Sequence, residues 1–260
     1  KILLFILMTL LKCVQAQPAA DSITEKKIKV EMLTVEDGLS QGNITSIVQD
    51  KNGFMWFGTK DGLNKYDGYN FTVYVHDEKK PFSIAKNHIT NLLADKRGFL
   101  WVFYLDGSID VFNSETDKAF HIQNTLLKNE VSWQHAFLDA NENLFLYSGH
   151  GFLKVTLIGK PEFAESDFKL KVVELTDFLP KKINDTNRVY FFISSKNEMY
   201  LSYRDSIFVY PNADVSKPNK IKRFSNKTFS QVKPSDNLHE GFEFFAAEDT
   251  IHHRLILIGY

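Results

Sequence analysis

One motif returns along this chain: a short polar turn followed by an aromatic or apolar run. Asp50-Lys51-Asn52-Gly53-Phe54-Met55-Trp56 is matched by Asp95-Lys96-Arg97-Gly98-Phe99-Leu100-Trp101 and by Asp139-Ala140-Asn141-Glu142-Asn143-Leu144-Phe145. Worn copies follow, Ser194-Ser195-Lys196-Asn197-Glu198-Met199-Tyr200 and Thr250-Ile251-His252-His253-Arg254-Leu255-Ile256. The key positions 56, 101, 145, 200 and 256 are spaced by 45, 44, 55 and 56 residues. A period of that length belongs to propeller blades or to helical arrays.

The pattern inside one repeat decides between them. Ile44-Thr45-Ser46-Ile47-Val48, Phe54-Met55-Trp56-Phe57-Gly58-Thr59, Leu63-Asn64-Lys65-Tyr66 and Phe71-Thr72-Val73-Tyr74-Val75 are short β-rich runs. They are split by Asn52-Gly53, Asp61-Gly62 and Asp67-Gly68, turn pairs that tolerate positive φ. Four antiparallel strands per repeat make a propeller blade. The expectation is an all-β chain, an incomplete β-propeller over residues 28–260 with about four blades and part of a fifth. The blades are expected near 44–75, 89–112, 133–157, 188–210 and 244–260. Ile28–Thr34 is expected to be a lone strand completing the last blade of the ring. The widening steps are assigned to long polar connections, roughly 158–187 and 211–240. The final run, Leu255-Ile256-Leu257-Ile258-Gly259-Tyr260, reads as a buried strand inside the fifth blade, so the chain is expected to be a fragment of a longer one.

The amino terminus sets the compartment. Ile2–Leu11 is an apolar run ending before Val14-Gln15-Ala16, which reads as a signal peptide cleaved after Ala16. It is shorter than the roughly 20 residues of a membrane span. The single cysteine, Cys13, lies inside it, so the exported chain has no disulfide to form. Thirty-one basic residues stand against 32 acidic ones, which removes the basic excess a nucleic-acid partner would need.

The candidate sites fall into columns of the repeat. Trp56, Trp101, Phe145 and Tyr200 recur at one strand position, which suits packing between blades better than a sugar platform. Asp50, Asp95 and Asp139 each precede a turn and read as turn formers; a glycosidase needs one matched carboxylate pair, not one acid per blade. The second turn of each blade varies more: Lys60-Asp61-Gly62, Leu105-Asp106-Gly107, Gly149-His150-Gly151 and Arg204-Asp205-Ser206. These turns should share a face with the blade-to-blade connections. Lys60, Asp61, Asp106, His150 and Arg204 are therefore the candidate ligand-binding residues, against the plain reading of variable exposed tips. No catalytic residue is assigned. No metal or cofactor is expected: adjacent strand residues His252 and His253 face opposite ways, and no ligand spacing for zinc or calcium occurs. The basic stretch Lys217–Arg223 reads as a solvated loop.

Leu33–Ile44 together with Asp50–Gly68 resembles the two-component regulator propeller family, in detail the amino-terminal sensor region of hybrid two-component histidine kinases. The resemblance is carried by residues 28–113 and departs from the family pattern in blades three to five, where the glycine before the aromatic strand is lost. It implies a periplasmic sensor for an oligosaccharide released from a polysaccharide. It also implies a homodimeric full-length protein, with a membrane span and a cytoplasmic kinase beyond this segment. The chain has no phosphoacceptor histidine motif and no nucleotide-binding motif, so no enzyme activity is expected of it. Two other functions compete: an exported propeller enzyme acting on polysaccharide, and a non-signalling interaction scaffold.

Overall fold

The computed structural model describes residues 30, 32–122, 133–148, 151–161, 164, 167–175, 189–194, 196–203, 206–211, 219–223, 244–249 and 254–259. The proposed signal peptide lies outside them. The chain divides into two units, residues 1–32 and 33–260. Of the first, Val30 and Met32 are described, and both are exposed.

The second unit is built from antiparallel sheets taken in strict chain order. The first holds β1 (Ile44–Gln49), β2 (Met55–Thr59), β3 (Gly62–Tyr66) and β4 (Phe71–Tyr74). The second holds β5 (Ile89–Ala94), β6 (Phe99–Tyr104), β7 (Ile109–Asn113) and β8 (Lys118–Ile122). The third runs through β9 (His135–Leu138), β10 (Leu144–Tyr147), β11 (Phe152–Gly159) and β12 (Phe168–Glu174). The fourth runs through β13 (Val189–Ile193), β14 (Met199–Tyr203), β15 (Ser206–Tyr210) and β16 (Asn219–Arg223), and β17 (Phe244–Asp249) pairs with β18 (Arg254–Gly259). Each sheet is a blade of a propeller.

The first turn of each blade shows why the repeat folds this way. Asp50 Oδ1 accepts from the backbone N–H groups of Asn52 and Phe54, and Asp50 N–H closes the turn on Phe54 O. Asp95 takes the N–H groups of Arg97, Gly98 and Phe99, and Asp139 those of Asn141 and Asn143. In the fourth blade a serine does the same work, Ser194 Oγ accepting from Glu198 N–H. All four are buried, so their polar atoms need these partners. The fourth turn position has positive φ in every copy: Gly53, Gly98, Glu142 and Asn197.

The core lies between successive blades, in three layers. Trp56 and Leu63 pack against Leu100, Val102 and Phe112 between the first and second blades. Phe99, Trp101 and Phe103 meet Leu144, Leu146 and Val155 between the second and third. Phe145, Tyr147 and Phe152 meet Met199 and Leu201 between the third and fourth. Strand alternation produces this directly: in β6 the odd residues face the third blade and the even ones the first. β6 and β10 are buried at every position because both their faces are covered.

Three expectations are corrected. The stretches expected to be connections contain the outer strands β12 and β16, so the basic stretch Lys217–Arg223 is strand from Asn219 on. Eight residues separate β11 from β12 and eight separate β15 from β16, so the widening steps fall inside the blades as well as between them. Ile28–Thr34 carries no strand at its described residues. Instead Thr34 caps a 3-10 helix, Val35–Asp37, in a reciprocal capping box with Asp37. The chain then lies on the first blade, where Ser40 N–H donates to Asn64 Oδ1 and Leu39 is buried. Among the described residues no helix is long and apolar enough to cross a membrane.

Candidate functional site

In the first two blades the second turns share a face with the connection 75–88. β2 and β3 are joined by the two-residue loop Lys60-Asp61, with Thr59 paired to Gly62. Asp61 N–H donates to Thr59 Oγ1 at 3.0 Å. Gly62 has φ +131, and a Cβ there would lie 2.6 Å from the carbonyl of Tyr74 at the end of β4. The loop is thus seated on the start of the connection to the second blade. Lys60 and Asp61 are both exposed.

Asp106 occupies the matching turn of the second blade, which closes by Gly107 N–H donating to Tyr104 O. Its carboxylate accepts from Ser108 N–H and Ser108 Oγ and pairs with Lys86 at 2.9 Å. Partial burial alone would raise its pKa, but the bonds from Ser108 and Lys86 outweigh that and hold it below the usual value. Lys86 belongs to the connection 75–88, so Asp106 ties turn to connection. Trp133, at the start of the third blade, donates its indole N–H to Gly107 O at 2.9 Å. Among the described residues, neither Lys60 nor Asp61 bonds to Asp106. His150 and Arg204, as well as His252 and His253, lie outside the described residues.

The recurring columns have structural roles. Trp56, Trp101 and Phe145 are fully buried between blades and offer no face to a ligand. Asp50, Asp95 and Asp139 spend their oxygens on their own turns. Among the described residues, no group of three His, Cys, Asp or Glu side chains is placed to hold a metal.

Two features were not anticipated from sequence. The first is a buried polar node in the second blade. Asp110, with no exposed surface, accepts from Tyr104 Oη at 2.6 Å and Ala85 N–H at 2.8 Å, and its other oxygen lies 2.8 Å from His121 Nδ1. Burial, then the neighbouring carboxylate, pushes the Tyr104 phenol well above its ordinary pKa. The node clamps the connection to the blade and keeps its end fixed.

The second is a cleft of about 350 Å³ at the outer edge of the first two blades. Residues 77–84 of the connection form one wall, and Tyr74, Phe112 and Asp117 the other. Tyr74 stacks on Trp56 and meets Phe112 edge-on. Burial raises the Tyr74 phenol, and its hydrogen bond to Asp117 raises it further. No single sequence column marks this cleft, because its walls come from a non-repeating connection and from two blades 40 residues apart in the chain.

With the geometry in place, the chain can be compared with known proteins. Residues 38–61 match the two component regulator propeller family model. Histidine kinase P4 of Formosa agariphila is 49% identical over 49 residues, which is 19% of this chain and 4% of that protein. Among solved structures, the extracellular domain of a hybrid two component system from B. thetaiotaomicron aligns with a TM-score of 0.56 at 18% identity, over 85% of this chain and 28% of that one. PorZ, a surface component of the type-IX secretion system of Porphyromonas gingivalis, aligns with a TM-score of 0.53 at 14% identity, over 84% of this chain and 31% of that one. These structural likenesses are likenesses of fold, and the chain spans less than a third of either structure.

Proposed function

We propose, for a chain that carries a two-component regulator propeller repeat at residues 38–61, that it is the ligand-sensing portion of a hybrid two-component histidine kinase. The observation that carries this reading is the position of the match. It begins at Gly38, where the chain settles on the first blade, and runs through β1 and β2 into the Lys60-Asp61 turn. The matched stretch therefore covers the entry to the first blade and two of its four strands. The neighbours described as extracellular domains of hybrid two component systems support placing it on the extracellular or periplasmic side.

The ligand we assign is an oligosaccharide derived from a glycan whose use the full protein regulates. The chain listens, and phosphotransfer belongs to the rest of the protein. A ligand shifts a sensor only if it binds one state better than the other. The connection 75–88 is a natural carrier of that difference, since Lys86 joins it to the Asp106 turn while Asp110 clamps its end.

The test is a screen of the purified chain against glycan fragments, with the products analysed. Saturable binding without cleavage is the expected result. Release of shorter sugars would replace the sensor with an enzyme. The companion test is glycan-dependent transcription in cells carrying the full-length protein, and a response that survives deletion of the propeller would overturn the sensing role.

A further inference from the structure

We infer that the outer-edge cleft between the first and second blades is a carbohydrate subsite that takes a neutral pyranose ring. The inference deepens the sensing role proposed above and rests on it.

The cleft is preformed. His76 Nδ1 lies 2.9 Å from Ile84 O, and Asp77 N–H donates to Ser83 Oγ, which in turn donates to Asp77 O. Ala119 N–H on β8 donates to Phe82 O at 2.9 Å, so this wall is bonded to the second blade. Opposite it, Tyr74 is held by Trp56 at 5.7 Å and Phe112 at 5.1 Å between ring centroids. A site whose walls are fixed before binding loses little entropy when filled. Its volume of about 350 Å³ is at the small end of ligand sites, which run from roughly 300 to 1,000 Å³.

The chemistry of the lining selects the ligand. Tyr74 and Phe82 offer an aromatic lining, with the buried Phe112 behind Tyr74. Lys80 lies 3.7 Å from Asp77, so that pair is internally balanced, and the Lys118 ammonium sits 4.9 Å over the Phe82 ring. Asp117 stands at the edge of the cleft, exposed and in a left-handed conformation at φ 55, and its charge is close enough to the Tyr74 phenol to raise it. A carboxylate has about four acceptor positions, and Tyr74 can take at most one of them. The remainder suits hydroxyl donors. An anion would meet the Asp117 carboxylate, and a purely apolar ligand would leave that carboxylate without a donor. A ring with one apolar face and a fringe of hydroxyls satisfies the aromatic lining and the carboxylate together.

The test titrates the full chain with neutral disaccharides, maltose, cellobiose and lactose among them, reading the fluorescence of Trp56 behind Tyr74 and the heat of binding. Tyr74→Phe keeps the aromatic wall and removes the hydroxyl; Asp117→Asn keeps a residue that tolerates the left-handed backbone. At least one disaccharide is expected to bind saturably. Asp117→Asn should weaken it about tenfold, the weight of one charge-assisted hydrogen bond. Tyr74→Phe should weaken it less, and Lys171→Ala, an exposed change on β12 of the third blade, should leave it unchanged. Binding untouched by Asp117→Asn and Tyr74→Phe, or abolished by Lys171→Ala, would overturn the subsite and leave the sensing role standing. If no disaccharide binds at millimolar concentration, the subsite is wrong, and the cellular glycan response decides the sensing role separately.

Discussion

The indole N–H of Trp56 ends on the carboxylate of Asp50, 2.9 Å away and across the same turn. One buried acid therefore organises the turn with one oxygen and anchors the core aromatic with the other. In the second blade the arrangement is broken. Arg97 occupies Asp95 Oδ2 through Nε at 2.9 Å and a terminal nitrogen at 2.6 Å. The matching indole, Trp101 Nε1, is buried without a partner among the described residues.

Removing Asp50 should therefore be expensive out of proportion to its size. Asp50→Ala strands the N–H groups of Asn52 and Phe54 and the indole of Trp56 together. We expect a loss of about 2–4 kcal/mol, as for other buried charged hydrogen-bond networks that lose one partner. Denaturant melts followed by Trp fluorescence would measure it. A loss below about 0.5 kcal/mol would mean that water replaces the carboxylate.

Arg97→Asn puts into the second blade the residue that Asn52 supplies in the first. Asp95 Oδ2 is then free to accept from Trp101, and the Trp101 indole proton should move downfield in the NMR spectrum. The same change removes the bond from Arg97 to Leu157 O in the third blade, 3.1 Å long. Stability should fall by about 1 kcal/mol even as the indole gains its partner.

The left-handed turn position carries a second signal. Glu142 at φ 60 and Asn197 at φ 59 stand where the first two blades have glycine. Each side chain reaches back one blade: Glu142 Oε2 accepts from Lys96 N–H at 3.2 Å, and Asn197 Oδ1 from Ala140 N–H at 2.9 Å. Glu142→Ala loses the contact and keeps the backbone strain, whereas Glu142→Gly loses the contact and relieves it. Glu142→Gly should be the more stable of the two by about 1 kcal/mol, a difference readable from melting curves. The reverse change, Gly98→Ala, sets a Cβ 2.7 Å from Lys51 Cε and should displace that side chain from Arg97 O, its partner at 2.8 Å.

These residues also mark how far the sequence could be read. The turn acids and the aromatic column were legible because one residue type repeats under one local constraint. Glu142 and Asn197 read as wear in the motif, since a departure from glycine looks like loss when the neighbouring blade is out of sight. The outer strands β12 and β16 were hidden because eight residues separate each from the strand before it. The Tyr74 cleft and the Asp110 node were hidden because a non-repeating connection builds half of each. Of the candidate ligand residues, Lys60, Asp61 and Asp106 stand on the expected face, and Asp106 proved to be engaged with Lys86 rather than free.

His135 gives the chain an acid-sensitive joint. It lies in β9 with Tyr147, Tyr190 and Phe191 around its ring at 5.8 to 6.1 Å. Burial lowers its pKa below the ordinary 6.5, against a smaller opposing effect of a backbone hydrogen bond at Val189. Between the lowered folded value and 6.5 the unfolded chain binds the extra proton, so stability falls as pH drops through that window and is level above it. His135→Phe should flatten this part of the profile. Thermal melts at several pH values between 5 and 7.5 would show it; equal slopes in the two proteins would place the sensitivity elsewhere.

The last prediction concerns the contact that sets one blade against the next. Gly58 is buried in β2, and a Cβ added there would lie 2.7 Å from Ile89 Cγ2 and 3.1 Å from Thr45 Oγ1. Ile89 opens β5 and has no exposed surface, so it cannot swing away. Its neighbourhood is also pinned by polar contacts, with Ser46 Oγ donating to Asn91 Oδ1 at 3.2 Å and Leu92 N–H donating to Ser46 Oγ at 3.1 Å. Gly58→Ala must therefore push the inner strands of the two blades apart. Overpacking of this kind costs about 1–3 kcal/mol. The loss should be recovered in part by Ile89→Val if that change withdraws the crowding methyl, and a double-mutant cycle in denaturant would measure the coupling. Additive effects would show that the blades accommodate the methyl by moving elsewhere.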